Sequence, residues 1–89
     1  MVIVLTGDQI QTLNRDIEVR IRGQLNGAWV QVQSDDGHHF SAEVHWAGFK
    51  GLSLLEQHRV VYQAVGSDVG VALHALSLNT RVLEEAIDE

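Results

Sequence analysis

The chain has no cysteine and no proline. Without cysteine there is no disulfide framework, no thiol nucleophile, and no zinc or iron–sulfur site built from the chain's own thiolates. No apolar run approaches the roughly 18 residues that a membrane span needs. The opening Val2–Leu5 is too short for a signal peptide and has no basic residue before it, so the cytosol is the expected compartment. Basic charge is scarce as well: six Lys and Arg stand against twelve Asp and Glu, a formal net of −6. Four of the acids (Glu84, Glu85, Asp88, Glu89) lie in the last six residues, and without them the body still counts six against eight, or −2. Nucleic-acid affinity rests on the opposite balance.

What is present is the composition of one globular domain: 89 residues, 45% hydrophobic and 20% charged. A chain of this size buries only about 60–65% of the surface its unfolded form exposes, so its stability is modest. Five histidines without a single cysteine are the compositional feature that asks for a functional explanation.

With proline absent, punctuation falls to glycine. Thr6-Gly-Asp-Gln9 reads as a capping box, and Ile10, Leu13, Ile17 and Ile21 then recur at spacings of three and four, the apolar stripe of an amphipathic helix that ends near Gly23 and Gly27. Trp29 to Gln33 alternates, with Val30 and Val32 on one side. Ser34-Asp-Asp-Gly37 is turn chemistry, and beyond it Phe40, Ala42, Val44 and Trp46 alternate with Ser41, Glu43 and His45. The two strands form an antiparallel hairpin whose core face carries Val30, Val32, Phe40, Val44 and Trp46, leaving His45 outward as an exposed strand residue. Phe49 anchors the following turn to the core, and Gly51 takes a backbone angle that a side chain would oppose.

A second helix is expected from about Leu52 to Val65, with Leu54, Leu55, Val61, Tyr62 and Val65 on its apolar face. Gly66 to Gly70 is a connection, and Val71 to Leu78 reads as a mostly buried strand with His74 as its one strongly polar interior residue. A hairpin, a helix and a strand call for a right-handed crossover that lays the third strand parallel to the second. Arg81 to Glu89 is a short acidic helix or a frayed end. Val2–Leu5 is a disordered start, an extra edge strand, or an apolar strip over the core. The expected architecture is therefore α+β: one domain over residues 1–89, ordered helix–strand–strand–helix–strand–(helix), with helices on one face of a three-stranded mixed sheet.

From residue 36 onward four segments occur in order: Asp36-Gly-His-His-Phe40, Phe49-Lys-Gly51, Gln57-His-Arg-Val-Val-Tyr62 and His74-Ala-Leu-Ser-Leu78. In these the sequence resembles the BolA family, whose pattern is a turn ending in His-Phe, then Phe-x-Gly, Arg-His-Arg-x-x-Tyr and His-Ala-Leu-x-Leu. The short hairpin loop is similar to that of the short-loop, IbaG-like branch. Two departures stand out. Gln57 occupies the position of the first arginine of Arg-His-Arg, and the Thr-Pro usual after the last strand is replaced around Arg81-Val82.

The resemblance implies a class II KH-like fold. It also implies a partnership with a monothiol glutaredoxin, the pair sharing a bridging [2Fe–2S] cluster with glutathione. The metal-associated residues it implies are His74 and, in the hairpin loop, His39 or His38. Imidazole replaces thiolate on one iron of Rieske centres, so a cysteine-free chain is able to supply one or two nitrogens of such a cluster while a partner supplies the sulfur. A proton competes for imidazole near pH 6.5, which suits transfer or sensing better than storage.

Each residue also has a plainer reading. His74 shares a face with Leu76 and Leu78, where a core histidine bonded to a backbone carbonyl would sit. His38 and His39, being neighbours, point oppositely in extended chain, so only one faces His74; strand parity leaves the choice open, and the motif favours His39. Lys50, His58 and Arg59 are candidates for contact with a partner, or form a solvated surface. Gln57 in place of arginine, with Glu56 beside it, weakens a basic DNA-binding face on the second helix. No Ser/His/Asp arrangement, phosphate-cradling glycine loop or carboxylate pair stands out, so an enzyme is not expected. Two alternatives remain: a stress-responsive transcriptional regulator binding DNA or RNA through a KH-like or helix–turn–helix surface, and divalent-metal binding by His38, His39 and His74 alone.

Overall fold

A computed structural model describes residues 6–66 and 75–84. Its elements run α1 (Gly7–Gln24), β1 (Trp29–Gln33), β2 (Phe40–His45), a short 3-10 helix (Ala47–Phe49), α2 (Leu54–Val65) and β3 (Leu76–Arg81). The sheet order is β1-β2-β3, with β1 antiparallel and β3 parallel to β2. This is the α+β order expected from the sequence. Among the described residues no helix is long and apolar enough to cross a membrane.

The capping box starts α1 as its residue types require. Thr6 Oγ1 accepts from the Gln9 N–H at 3.2 Å and Gln9 Oε1 accepts from the Thr6 N–H at 2.9 Å, so two donors of the first turn are satisfied. Ile17 and Ile21 are fully buried, while Ile10 and Leu13 on the same stripe are half-buried. The helix runs through Gly23 and stops at Leu25, itself buried, whose N–H still reaches the Ile21 carbonyl at 2.8 Å.

The hairpin register pairs Val30 with Val44 and Val32 with Ala42, which puts Val30, Val32, Phe40, Ala42 and Val44 on the face covered by the helices. Phe49, entirely buried, closes the core below Trp46, whose ring meets it edge-on at 5.3 Å. Trp46 lies just past the end of β2 and anchors its indole N–H on the Asn26 carbonyl at 2.9 Å. Gly51 has φ +85, the left-handed region that glycine enters without steric cost.

Four expectations need correction. The second helix begins at Leu54 rather than Leu52, because Ser53 caps it in a capping box with Glu56. Leu54 and Leu55 are 61% and 62% exposed instead of facing the core. They occupy the first turn, one turn beyond the level at which Gln57 bonds Thr80, where β3 has a single residue left to pack against.

The third strand reaches past the expected end at Leu78. It runs from Leu76 to Arg81, since Asn79, Thr80 and Arg81 pair with Glu43, Val44 and His45, and the Trp46 N–H donates to the Arg81 carbonyl. Arg81 therefore belongs to the sheet and not to a tail; residues 82–84 have no regular structure. His45, expected to be exposed, is half-buried: its ring lies 4.8 Å from that of Trp29, its partner across the hairpin, and its Nε2 is buried without a hydrogen bond. The readings of Val2–Leu5, Ser67–Gly70, Val71–His74 and the acidic end 85–89 lie outside the described residues.

Candidate functional site

The site is built from the connection between β1 and β2, residues 34–39. Two side chains organise it. Ser34 Oγ accepts from the Gly37 N–H at 2.8 Å and donates to the His39 carbonyl at 2.6 Å, spanning the base of the loop. Asp36 Oδ1 accepts from the N–H groups of both His38 and His39, at 2.8 and 2.9 Å, the local bonding that aspartate offers a turn. Gly37 turns between them with φ +75. A short Ser-Asp-Asp-Gly stretch thus fixes the backbone on which two histidines stand.

The two imidazoles are then treated differently. His38 is exposed and carries only its backbone bond to Asp36. His39 has a ring contact too: its Nδ1 lies 3.0 Å from Asp36 Oδ2, while the side chain stays 82% exposed. The Asp36 carboxyl is held well below the usual carboxylate range, first by this ring contact and then by the two backbone N–H donors. An ionised carboxylate only accepts, so Nδ1 bears the proton and the lone pair of a neutral His39 ring lies on Nε2. Beside His39 a shallow open recess of about 250 Å³ is lined by Gln33, Ser34, Asp35, Phe40, Ser41 and Ser77.

Ser77 belongs to β3, and its presence follows from the register. Phe40 pairs with Leu76 in parallel, so the chain enters β2 from His39 and β3 from Ala75 at the same end of the sheet. His74 itself lies outside the described residues. Among the described residues no three His, Cys, Asp or Glu side chains converge as a metal site. As a donor set the loop fits a metal as one exposed imidazole nitrogen, with its other nitrogen secured by a carboxylate, the way the far nitrogen of a metal-ligating histidine is commonly held.

The other predicted contact residues are not brought to the loop. Lys50 is exposed beyond the far end of β2. On α2, Arg59 is exposed and His58 half-buried, with its Nε2 buried and unpaired. Gln57 points inward: its amide donates to the Leu52 carbonyl at 3.0 Å and accepts from the Thr80 hydroxyl at 2.6 Å. The residue that sequence reasoning missed is Asp36, read there only as turn chemistry. Its spacing of three residues before His39, across a Gly, was the available signal.

The chain is 32% identical over 59 residues to the chloroplastic protein BOLA1 of Arabidopsis thaliana, a match covering 66% of this chain and 37% of that protein. It spans half or less of the length of the first curated relatives it matches. A BolA protein homologue from Coxiella burnetii superposes with a TM-score of 0.61 at 37% identity, covering 88% of this chain and 91% of that one. The BolA domain of SufE1 from Arabidopsis thaliana gives 0.65 at 22% identity over 88% and 94%, a likeness of fold. The model of the BolA-like protein family matches residues 16–85, which take in α1 from Asp16 onward, the hairpin with its Asp36–His39 loop, α2 and β3, and the chain accordingly belongs to the BolA-like protein family.

Proposed function

We propose that the protein is a non-enzymatic adaptor of iron–sulfur cluster trafficking or iron sensing. It pairs with a monothiol glutaredoxin and offers His39 and His74 at a [2Fe–2S] cluster shared with the partner's thiol and glutathione. The observation that carries this reading is His39: an exposed imidazole whose Nδ1 is occupied by Asp36 and whose Nε2 has no partner among the described residues. The shared end of β2 and β3 supports the pairing with His74, which precedes Leu76 by two residues. His39 is favoured over His38 because only His39 has a carboxylate on its ring.

In this reading the bound cluster supplies the redox and transfer chemistry, and the chain supplies nitrogen ligands. His39 orients its ring through Asp36. Ser34 and Asp36 hold the loop backbone, so that the ring is presented without first ordering the loop. A nucleic-acid reading is weaker, because Gln57, at the position of the motif's first arginine, is spent on internal bonds to Leu52 and Thr80 and adds no cation to the surface.

The test mixes the protein with a cluster-loaded monothiol glutaredoxin and follows complex formation and the visible spectrum. The wild type is expected to form a heterodimer with altered cluster bands, and His74→Ala and His39→Ala to weaken both. No complex, or a spectrum unchanged by the wild type, overturns the proposal.

A further inference from the structure

Asp36 divides its two oxygens between two tasks. Oδ1 takes the backbone N–H groups of His38 and His39, and Oδ2 takes the ring of His39. A turn alone needs only the first. We propose that Asp36 is a positioning residue for His39, fixing its imidazole as the Nδ1–H tautomer and aiming the Nε2 lone pair outward at a metal held by a second molecule. This rests on the reading of His39 as a ligand and adds the device that makes it one.

Three features support the assignment. A carboxylate only accepts, and both oxygens of Asp36 are met by donors, Oδ1 by two backbone N–H groups and Oδ2 by the ring nitrogen of His39 at 3.0 Å. The ring is anchored at one nitrogen and open at the other, with 82% of the side chain exposed. The anchor is itself fixed, because Oδ1 is tied to the two backbone donors that flank the ring. Which nitrogen of a histidine binds metal is set by the hydrogen bond that the other makes, and loss of such an outer partner typically costs about 10–100-fold in metal affinity.

Asp36→Asn separates the two tasks. An asparagine keeps its oxygen on the two backbone N–H groups, because turning the amide would place its NH₂ against two donors. That leaves NH₂ where Oδ2 now sits. The amide then donates to Nδ1, and the ring proton moves to Nε2. Loop geometry survives while the open nitrogen loses its lone pair.

The experiment reads the tautomer directly in the isolated protein at about pH 8, by long-range proton–nitrogen correlation of the histidine rings. The expected result is Nδ1–H for His39 in the wild type and Nε2–H in Asp36→Asn, with the His38 and His39 backbone amide resonances retained. A wild-type ring in the Nε2–H form or an even mixture, or a ring unchanged in Asp36→Asn, overturns the positioning role. A second arm measures affinity for the cluster-loaded glutaredoxin, where Asp36→Asn is expected to weaken binding about tenfold or more. If His39→Ala weakens binding and Asp36→Asn does not, the positioning role fails. If the tautomers are as expected but His39→Ala binds like the wild type, the ligand reading fails instead, and the inference built on it falls.

Discussion

The Thr80 hydroxyl donates to Gln57 Oε1 at 2.6 Å, tying the last strand to the second helix at the one motif position where this chain departs from the family's arginine. Thr80 is buried, and the same Gln57 amide also holds the Leu52 carbonyl, so the departure is built into the core's edge. Thr80→Val keeps the shape and strands the Gln57 oxygen, at an expected cost of about 1–2 kcal/mol in urea unfolding. In a double-mutant cycle with Gln57→Leu the loss in the double variant should fall short of the sum of the two single losses, and simple additivity would show the bond to contribute nothing.

Glu18 lies along the outer side of β1. Its Oε2 accepts from the Val32 N–H at 2.9 Å, on the side of β1 that has no neighbouring strand among the described residues. Glu18→Ala returns that donor to water and leaves the edge free to pair with another chain. Amide exchange at Val32 should rise about tenfold, with little change at Val30 and Val44. Equal protection in the variant would deny Glu18 this role.

Phe49 is the largest fully buried side chain, placed by a single 3-10 turn between β2 and α2. Its truncation to alanine leaves a cavity under Trp46 and is expected to cost about 3–5 kcal/mol. Small domains stand only about 5–15 kcal/mol above unfolding, so Phe49→Ala should lose most of its cooperative melting transition by circular dichroism.

Glu56 sets a pH dependence through the cap of α2. Its carboxyl lies below the ordinary value of 4.5, chiefly because it accepts the Ser53 N–H and also through the Ser53 side chain. A carboxyl depressed in the folded state contributes stability that is fully present above its unfolded pKa and is lost as pH falls through the folded one. The wild type should therefore exceed Glu56→Gln in urea stability near pH 7, with the gap closing steadily as pH falls below that ordinary value of 4.5. A gap that persists in acid would assign the effect to shape and not to charge.

Much of the fold was legible in residue order. Thr6 and Gln9 announced the first helix, and the alternation from Val30 to Val44 set the hairpin register, because caps and strand parity are local rules. Ser53-x-x-Glu56 is equally local, and it sets the start of the second helix after Leu52. Leu54 and Leu55 misled because helical periodicity gives direction around an axis and says nothing of how far the neighbouring strand extends. The limits of β3 were hidden likewise, since Asn79-Thr80-Arg81 has a weak strand composition and becomes strand only through pairing with Glu43, Val44 and His45. His45 shared that fate, its exposure reduced by Trp29 from the opposite strand.

The sequence by itself determined the α+β element order, the core face of the hairpin, the family, and the exclusion of any metal site built on the chain's own thiolates. Those follow from side-chain period, motif order and the lack of a thiol, all readable one residue at a time. Only the tertiary structure showed the Asp36 carboxylate meeting the ring of His39, while it meets His38 through the backbone N–H. That distinction depends on which oxygen of one side chain meets which nitrogen of another, a relation set by the closed loop in three dimensions.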